Sequence, residues 1–356
     1  MRAADVAART IAHVRALPVD LAELPESAVP GSLFAGGAGV AFFFYEAARL
    51  GGDEALVDRA RAWAGAARKW ADRASPRDWR GSAHGFIAGA TGLAFVEALL
   101  ADDAKSLARA LGRIEDASKR TDGYAPDIRR TELFGGSAGI VVAANALAAR
   151  LGTPDAHVLL DRVRARAAKK LERARAADVF GMAHGAAGEV WALATVLGAN
   201  DDRVRARLAA LEVERERDRS GLVFWRKVRG SDDMSMIGSF CNGMAGHTLL
   251  WADLARRSKR ATRRARACAE SLAATSRTTI PHLCCGLAGQ AVALQRWADV
   301  SGDARYARLS RACILRASRV VASARWSRAM LGLWQGALGI ALVALSRSSM
   351  PALEAP

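Results

Sequence analysis

Cysteine is missing from the first 240 residues of this 356-residue chain, and the five present, Cys241, Cys268, Cys284, Cys285 and Cys313, are odd in number. That distribution excludes the disulfide framework of a small secreted scaffold and leaves reduced thiols or metal ligands. Long apolar runs are missing too. The longest uncharged stretches, such as Met234 to Ala252, are broken by Gly, Ser, Asn and His, so none offers the ~20 predominantly apolar residues that span a bilayer. The N-terminus carries Arg2, Arg9 and Arg15 through an amphipathic pattern in place of an apolar leader, so the expected location is cytoplasmic. Aromatic residues make up only 6% of the chain. The tryptophans form no stacking platform and no recognition motif is present, so nucleic acid is not an expected partner. Lysine is scarce, 7 of the 52 basic residues against 45 arginines, within a net charge of +16. Such an excess reads either as a functional basic face or as arginine filling solvated helix faces.

What is abundant is repetition. Two glycines three apart, followed by an apolar run, occur seven times, first at Gly36 and then at Gly89, Gly136, Gly185, Gly243, Gly286 and Gly336. The intervals are 53, 47, 49, 58, 43 and 50 residues, a period that means a repeat architecture. Each apolar run has the length of a buried helix, and the segments between, such as Asp161 to Ala177 and Ala304 to Ala324, are amphipathic. Counting Ala3 to Leu17 as the first outer helix gives seven pairs, each read as outer helix, loop and inner helix. Inner helices that are apolar all round need cover on every side. The expected fold is therefore all-α, a closed double-layered (α/α)7 toroid forming one domain over residues 1–356. The glycines, lacking side chains, let helix N-termini crowd at one end of the ring. The 58-residue interval holds an insertion, Glu214 to Ser239, expected to be polar and irregular, lining the binding face or forming a plain surface loop.

The repeats differ in the residues just before each glycine, and those loops converge on one end of the ring. Cys241 precedes Gly243 by two, Cys284 and Cys285 precede Gly286, His184 precedes Gly185, and Glu132 lies four before Gly136. Three thiolates at a tetrahedral zinc leave one position open, the pattern of a catalytic site. The alternative is that buried cysteines serve as small hydrophobes.

With these motifs the chain resembles the lanthionine synthetase C-like family, zinc-dependent cyclases of lanthipeptide biosynthesis built on an α/α toroid. The first zinc-ligand motif of the family, Trp-Cys-Tyr-Gly, stands here as Phe240, Cys241, Asn242, Gly243. Its Cys-His-Gly stands as Cys284, Cys285, Gly286, a three-cysteine variant. Its Ala-His-Gly is intact as Ala183, His184, Gly185, and its catalytic Asp position holds Glu132. The resemblance implies zinc (Zn2+) held by Cys241, Cys284 and Cys285, and His184 and Glu132 as catalytic residues. Two departures stand out: the active-site Arg of the family is Ile237, and the Tyr after the first zinc cysteine is Asn242.

The activity so implied is thioether formation. A cysteine thiol of a dehydrated precursor peptide adds to dehydroalanine or dehydrobutyrine, and His184 gives the resulting enolate its proton. Three thiolates give the zinc site a formal charge of −1, so the substrate thiolate stays electron-rich. A separate dehydratase is the expected partner. The rival readings are a family member that transfers glutathione to dehydrated proteins, and a zinc-containing interaction module without catalysis. His282 reads as a loop residue that faces the site or only supports it, His84 as structural, His247 as a hydrogen-bonded core histidine, and Cys268 and Cys313 as packing residues. Precursor leaders in the family tend to be acidic, and Arg226, Lys227 and Arg229 cluster in the insertion, so a basic peptide-binding face is expected there.

Overall fold

A computed structural model of the chain describes residues 2–80, 82–120, 131–174, 177–233, 237–256, 258–275 and 278–346. Among the described residues there are fourteen α-helices: α1 (Ala3–Ala16), α2 (Gly37–Gly51), α3 (Ala55–Ala71), α4 (Ala90–Leu99), α5 (Ala104–Lys119), α6 (Ser137–Leu151), α7 (Pro154–Arg173), α8 (Ala186–Leu197), α9 (Asp202–Val213), α10 (Met244–Ala255), α11 (Lys259–Thr275), α12 (Leu287–Ser301), α13 (Ala304–Ser323) and α14 (Ala337–Ser346). The even-numbered helices form the inner layer of a double-layered toroid and the odd-numbered ones the outer. The sequence decides which is which. Helix α2 buries Phe42, Phe43 and Phe44 in succession, whereas α5 buries Ala110, Leu111, Ile114 and Ala117, one stripe at helical spacing. No helix among the described residues is long and apolar enough to cross a membrane.

The pairing differs from the expected outer–loop–inner hairpin. Gly52, Gly152 and Gly302 end α2, α6 and α12 at φ of 71°, 58° and 72°, the left-handed conformation that glycine adopts without strain. The chain then enters the next outer helix within a few residues. Outer helices α5, α9 and α13 start on aspartate caps: Asp103 accepts from the Ser106 amide at 2.7 Å, Asp201 from that of Arg203 at 2.9 Å and Asp303 from that of Arg305 at 2.8 Å. Inner helices α2, α4, α6, α10 and α12 therefore each pack most closely on the outer helix that follows, and α1 packs on α14, which closes the ring. The short turns set this pairing; the long loops run from outer back to inner helices.

Those long loops are tied to one another at the end of the toroid where the inner helices begin. The second residue before each loop's first glycine donates its N–H to the carbonyl of its counterpart in the next repeat. The bonds run from Phe34 to Ile87 (2.9 Å), Ile87 to Phe134 (3.0 Å), Phe134 to Ala183 (3.4 Å), Ala183 to Cys241 (2.9 Å), Cys241 to Cys284 (3.3 Å), Cys284 to Trp334 (2.9 Å), and from Trp334 back to Phe34 (3.1 Å). This is a closed belt of seven hydrogen bonds, one per repeat. The residue preceding each belt position is a large apolar one, such as Leu33, Phe86, Met182 or Leu283, and is buried.

The glycine pattern follows from this packing. A Cβ on Gly188 would lie 1.9 Å from the carbonyl oxygen of Met182, and one on Gly39 2.5 Å from that of Leu33, each in the same loop. On Gly246 it would also meet the Cβ of Met182, in the neighbouring repeat, at 2.6 Å. The crowding is thus with the loop's own backbone first and the next repeat second.

The insertion folds instead of wandering. Strands β1 (Arg215–Arg217) and β2 (Val223–Trp225) pair antiparallel as a hairpin. Trp225 donates its indole N–H to the Leu211 carbonyl at 2.7 Å, and Ser271 Oγ accepts from the Val223 amide at 2.8 Å. Residues 234–236 of the insertion lie outside the described residues. The cations of the expected basic face are ion-paired. Arg226 is paired with Glu216 and Asp232, Arg229 with Asp178 and Glu214, and Lys227 with Asp233. Their charges hold the hairpin.

The packing predicts opposite outcomes for two alanine substitutions read by urea unfolding. Gly188→Ala forces a Cβ onto backbone and should destabilise by at least about 1–3 kcal/mol. Gly65→Ala, exposed in the middle of α3 with open space around it, should stabilise by about 0.5–1 kcal/mol. A neutral Gly188→Ala would contradict the packing.

Candidate metal centre and active site

The belt sets the positions of the chemistry. Its own side chains are Phe34, Ile87, Phe134, Ala183, Cys241, Cys284 and Trp334, and the residues that follow them are Ala35, Ala88, Gly135, His184, Asn242, Cys285 and Gln335. Repeats four to six thus place His184, Cys241, Asn242, Cys284 and Cys285 side by side. They line one cavity of about 350 Å³, which Val29, Phe34 and Phe134 also line. Helices α10 and α12 begin immediately after Gly243 and Gly286, so the positive ends of their dipoles favour thiolate here.

The sulfurs of Cys241, Cys284 and Cys285 lie within 4.8 Å of one another. Cys241 and Cys284, with Cα atoms 5.8 Å apart, have their sulfurs in disulfide contact, and Cys285 is a free thiol. Burial pushes the Cys285 thiol pKa up, opposed by the charge of Lys227. Reduced, the trio offers three soft donors on the wall of an accessible cavity. Tetrahedral zinc with Zn–S bonds of about 2.3 Å needs sulfurs about 3.8 Å apart, a spacing inside the 4.8 Å span of this group. The donor set fits zinc.

His184 Nδ1 lies 2.9 Å from Glu132 Oε2, and Glu132 Oε1 accepts from the Gly135 amide at 3.2 Å. Glu132 is buried, while the histidine side chain is 42% exposed, enough to meet a ligand in the cavity. A carboxylate at Nδ1 fixes the tautomer with the proton there, which leaves Nε2 for the cavity. Phe134 packs against the imidazole with ring centres 5.0 Å apart.

The other sequence candidates fall elsewhere. Ile237 packs against the core and supplies no charge. His282 and His84 do not line the cavity. Cys268 and Cys313 are buried on α11 and α13. His247 is a core residue, but neither ring nitrogen has a hydrogen-bond partner, and its ring stacks on Trp225 of the hairpin at 4.1 Å. Phe34, Phe134 and Gln335 were missed as site residues, although reading the two positions before every glycine would have found them. A larger cavity of about 460 Å³, lined by Trp191, Asp253 and Arg296, lies towards the other ends of the inner helices; it contains none of the thiols.

The family model of the lanthionine synthetase C-like protein matches residues 27–350. The chain belongs to the lanthionine synthetase C-like family. No curated protein sequence matches it significantly. Among solved structures it is similar to nisin cyclase, with a TM-score of 0.67 and 14% sequence identity over 99% of this chain and 94% of that one. At that identity the likeness establishes the fold, and the family's toroid is the one described above.

His247 generates a pH prediction. Burial lowers its pKa to about 3, so the folded protein keeps it neutral while the unfolded chain takes up a proton below about pH 6.5. Stability is therefore present above pH 6.5 and lost as the pH falls from there towards 3, by up to about 1.4 kcal/mol per pH unit from this group. Compared with wild type at equal metal content, His247→Leu should show a shallower acid slope in urea unfolding. Equal slopes would contradict the assignment.

Proposed function

We propose that this chain is a lanthipeptide cyclase, acting as one cytoplasmic domain on a dehydrated precursor peptide supplied by a separate dehydratase. The observation that supports the reading is a single one: three cysteine sulfurs and a carboxylate-held histidine share one cavity. Cys241, Cys284 and Cys285 would hold zinc, which when bound lowers the pKa of a substrate thiol so that it is a thiolate at neutral pH.

The chain's own residues do the rest. Val29, Phe34 and Phe134 give the cavity an apolar wall that excludes water from the reacting alkene. As sulfur adds to Cβ, the π electrons pass to Cα and the adjoining carbonyl, and His184 Nε2–H delivers a proton to Cα. Glu132 keeps the imidazole oriented and stabilises its charged form through Nδ1–H. The thiol proton leaves to solvent and solvent reprotonates His184, so the net change is addition of S–H across C=C, with nothing oxidised.

Metal analysis and mass spectrometry on a dehydrated model peptide test the reading together. Under reducing conditions the protein should carry about one zinc; Cys285→Ala should lose most of it and Cys268→Ala should not. His184→Ala should keep its zinc and slow cyclisation by roughly 100-fold or more. A metal-free reduced protein, or cyclisation at the wild-type rate without His184, would contradict it.

A further inference from the structure

The reaction proposed above develops negative charge on a carbonyl oxygen, and a site that accelerates it needs a donor there. Several groups at the start of α10 are already committed. The Asn242 amide N–H bonds Ser239 Oγ at 3.1 Å, that of Gly243 bonds the Ser239 carbonyl at 3.1 Å, and that of Met244 bonds the Ile237 carbonyl at 2.6 Å. Ile237 itself is packed in the core.

The Asn242 side chain remains. In the order set by the belt it stands between His184 and Cys285, the proton donor on one side and the thiol group on the other. Gly181 makes room for it: a Cβ there would meet Asn242 Cα and Oδ1, both at 2.7 Å. Oδ1 is buried against that glycine without a hydrogen-bond partner. Asn242 lines the cavity, and among the described residues its Nδ2 has no partner, so the amide's N–H end is the one left for a ligand. Gln335, the other amide in these positions, lies on the far side of Cys285 from His184.

We propose that Asn242 is a catalytic residue whose side-chain N–H holds the carbonyl oxygen of the dehydroamino acid and stabilises the enolate formed there. A residue whose Cβ meets the sulfur and whose Cα meets His184 spans the gap that Asn242 fills. The S–Cβ bond forms as the C=C π pair moves to the carbonyl oxygen. Asn242 donates to that oxygen without transferring its proton, and the pair returns to take the proton from His184 at Cα. The inference rests on the cyclase reading.

The test uses the full zinc-loaded chain, a peptide with one cysteine and one dehydroalanine, and the same peptide with alanine in place of dehydroalanine as an unreactive binding probe. Asn242→Ala should lower kcat about 100- to 1,000-fold, the scale for loss of one such donor. Zinc content should be unchanged and affinity for the alanine peptide should stay within about threefold. Asn242→Asp, of nearly the same shape but offering only acceptors, should be at least as slow, which separates the donor's role from packing. Wild-type turnover in either variant, or a loss confined to affinity, overturns the role of Asn242 alone. A zinc-loaded wild type that leaves the reactive peptide linear overturns the cyclase reading and this inference with it.

Discussion

The belt of seven backbone hydrogen bonds is the constraint on which the rest of this molecule depends. A toroid of helical hairpins could vary in radius and tilt, but a ring in which each loop bonds the next has one circumference. Once closed by the bond from Trp334 to Phe34, it fixes two side-chain positions per repeat at the mouth. It also brings inner helix N-termini together, where their dipoles favour anions such as thiolates. Fold and site are therefore one construction: the same loops that close the ring carry the sulfur, the imidazole and the amide.

The ring is symmetric in backbone and asymmetric in chemistry. Phe34, Ile87, Phe134 and Trp334 make its apolar arc, with Phe34 and Trp334 each touching Phe134 at ring-centre distances of 5.5 Å. Ala183, Cys241 and Cys284 make the other arc, followed by His184, Asn242 and Cys285. The hairpin insertion braces that side, since Trp225 stacks on His247 one turn into α10. Its Arg226 and Arg229 are paired with carboxylates, so the net charge of +16 is no measure of free charge at the mouth.

The sequence made legible whatever rests on repeated side chains: the seven glycine loops, the inner and outer helices, the Cys241, Cys284, Cys285 trio and the histidine beside it. Other features have no such signature. The belt is made of backbone groups and leaves no residue type behind. The hairpin was hidden because Arg215 to Trp225 carries charge on one strand and only three apolar residues on the other. That Arg226 and Arg229 are paired, and that His247 is unpartnered, depends on neighbours distant in sequence such as Asp178 and Trp225. Asn242 was visible only as a departure from the family motif; its place between His184 and Cys285 emerges once the belt orders the loops.

The central claim is that the belt assembles three cysteines into a catalytic zinc site with one position open to substrate. X-ray absorption at the zinc edge of the reduced protein tests it most directly. The account predicts three sulfurs at about 2.3 Å and one lighter atom, with the lighter atom replaced by a fourth sulfur when a cysteine-containing dehydrated peptide is added. A shell of nitrogen and oxygen alone, or one unchanged by the peptide, would contradict it.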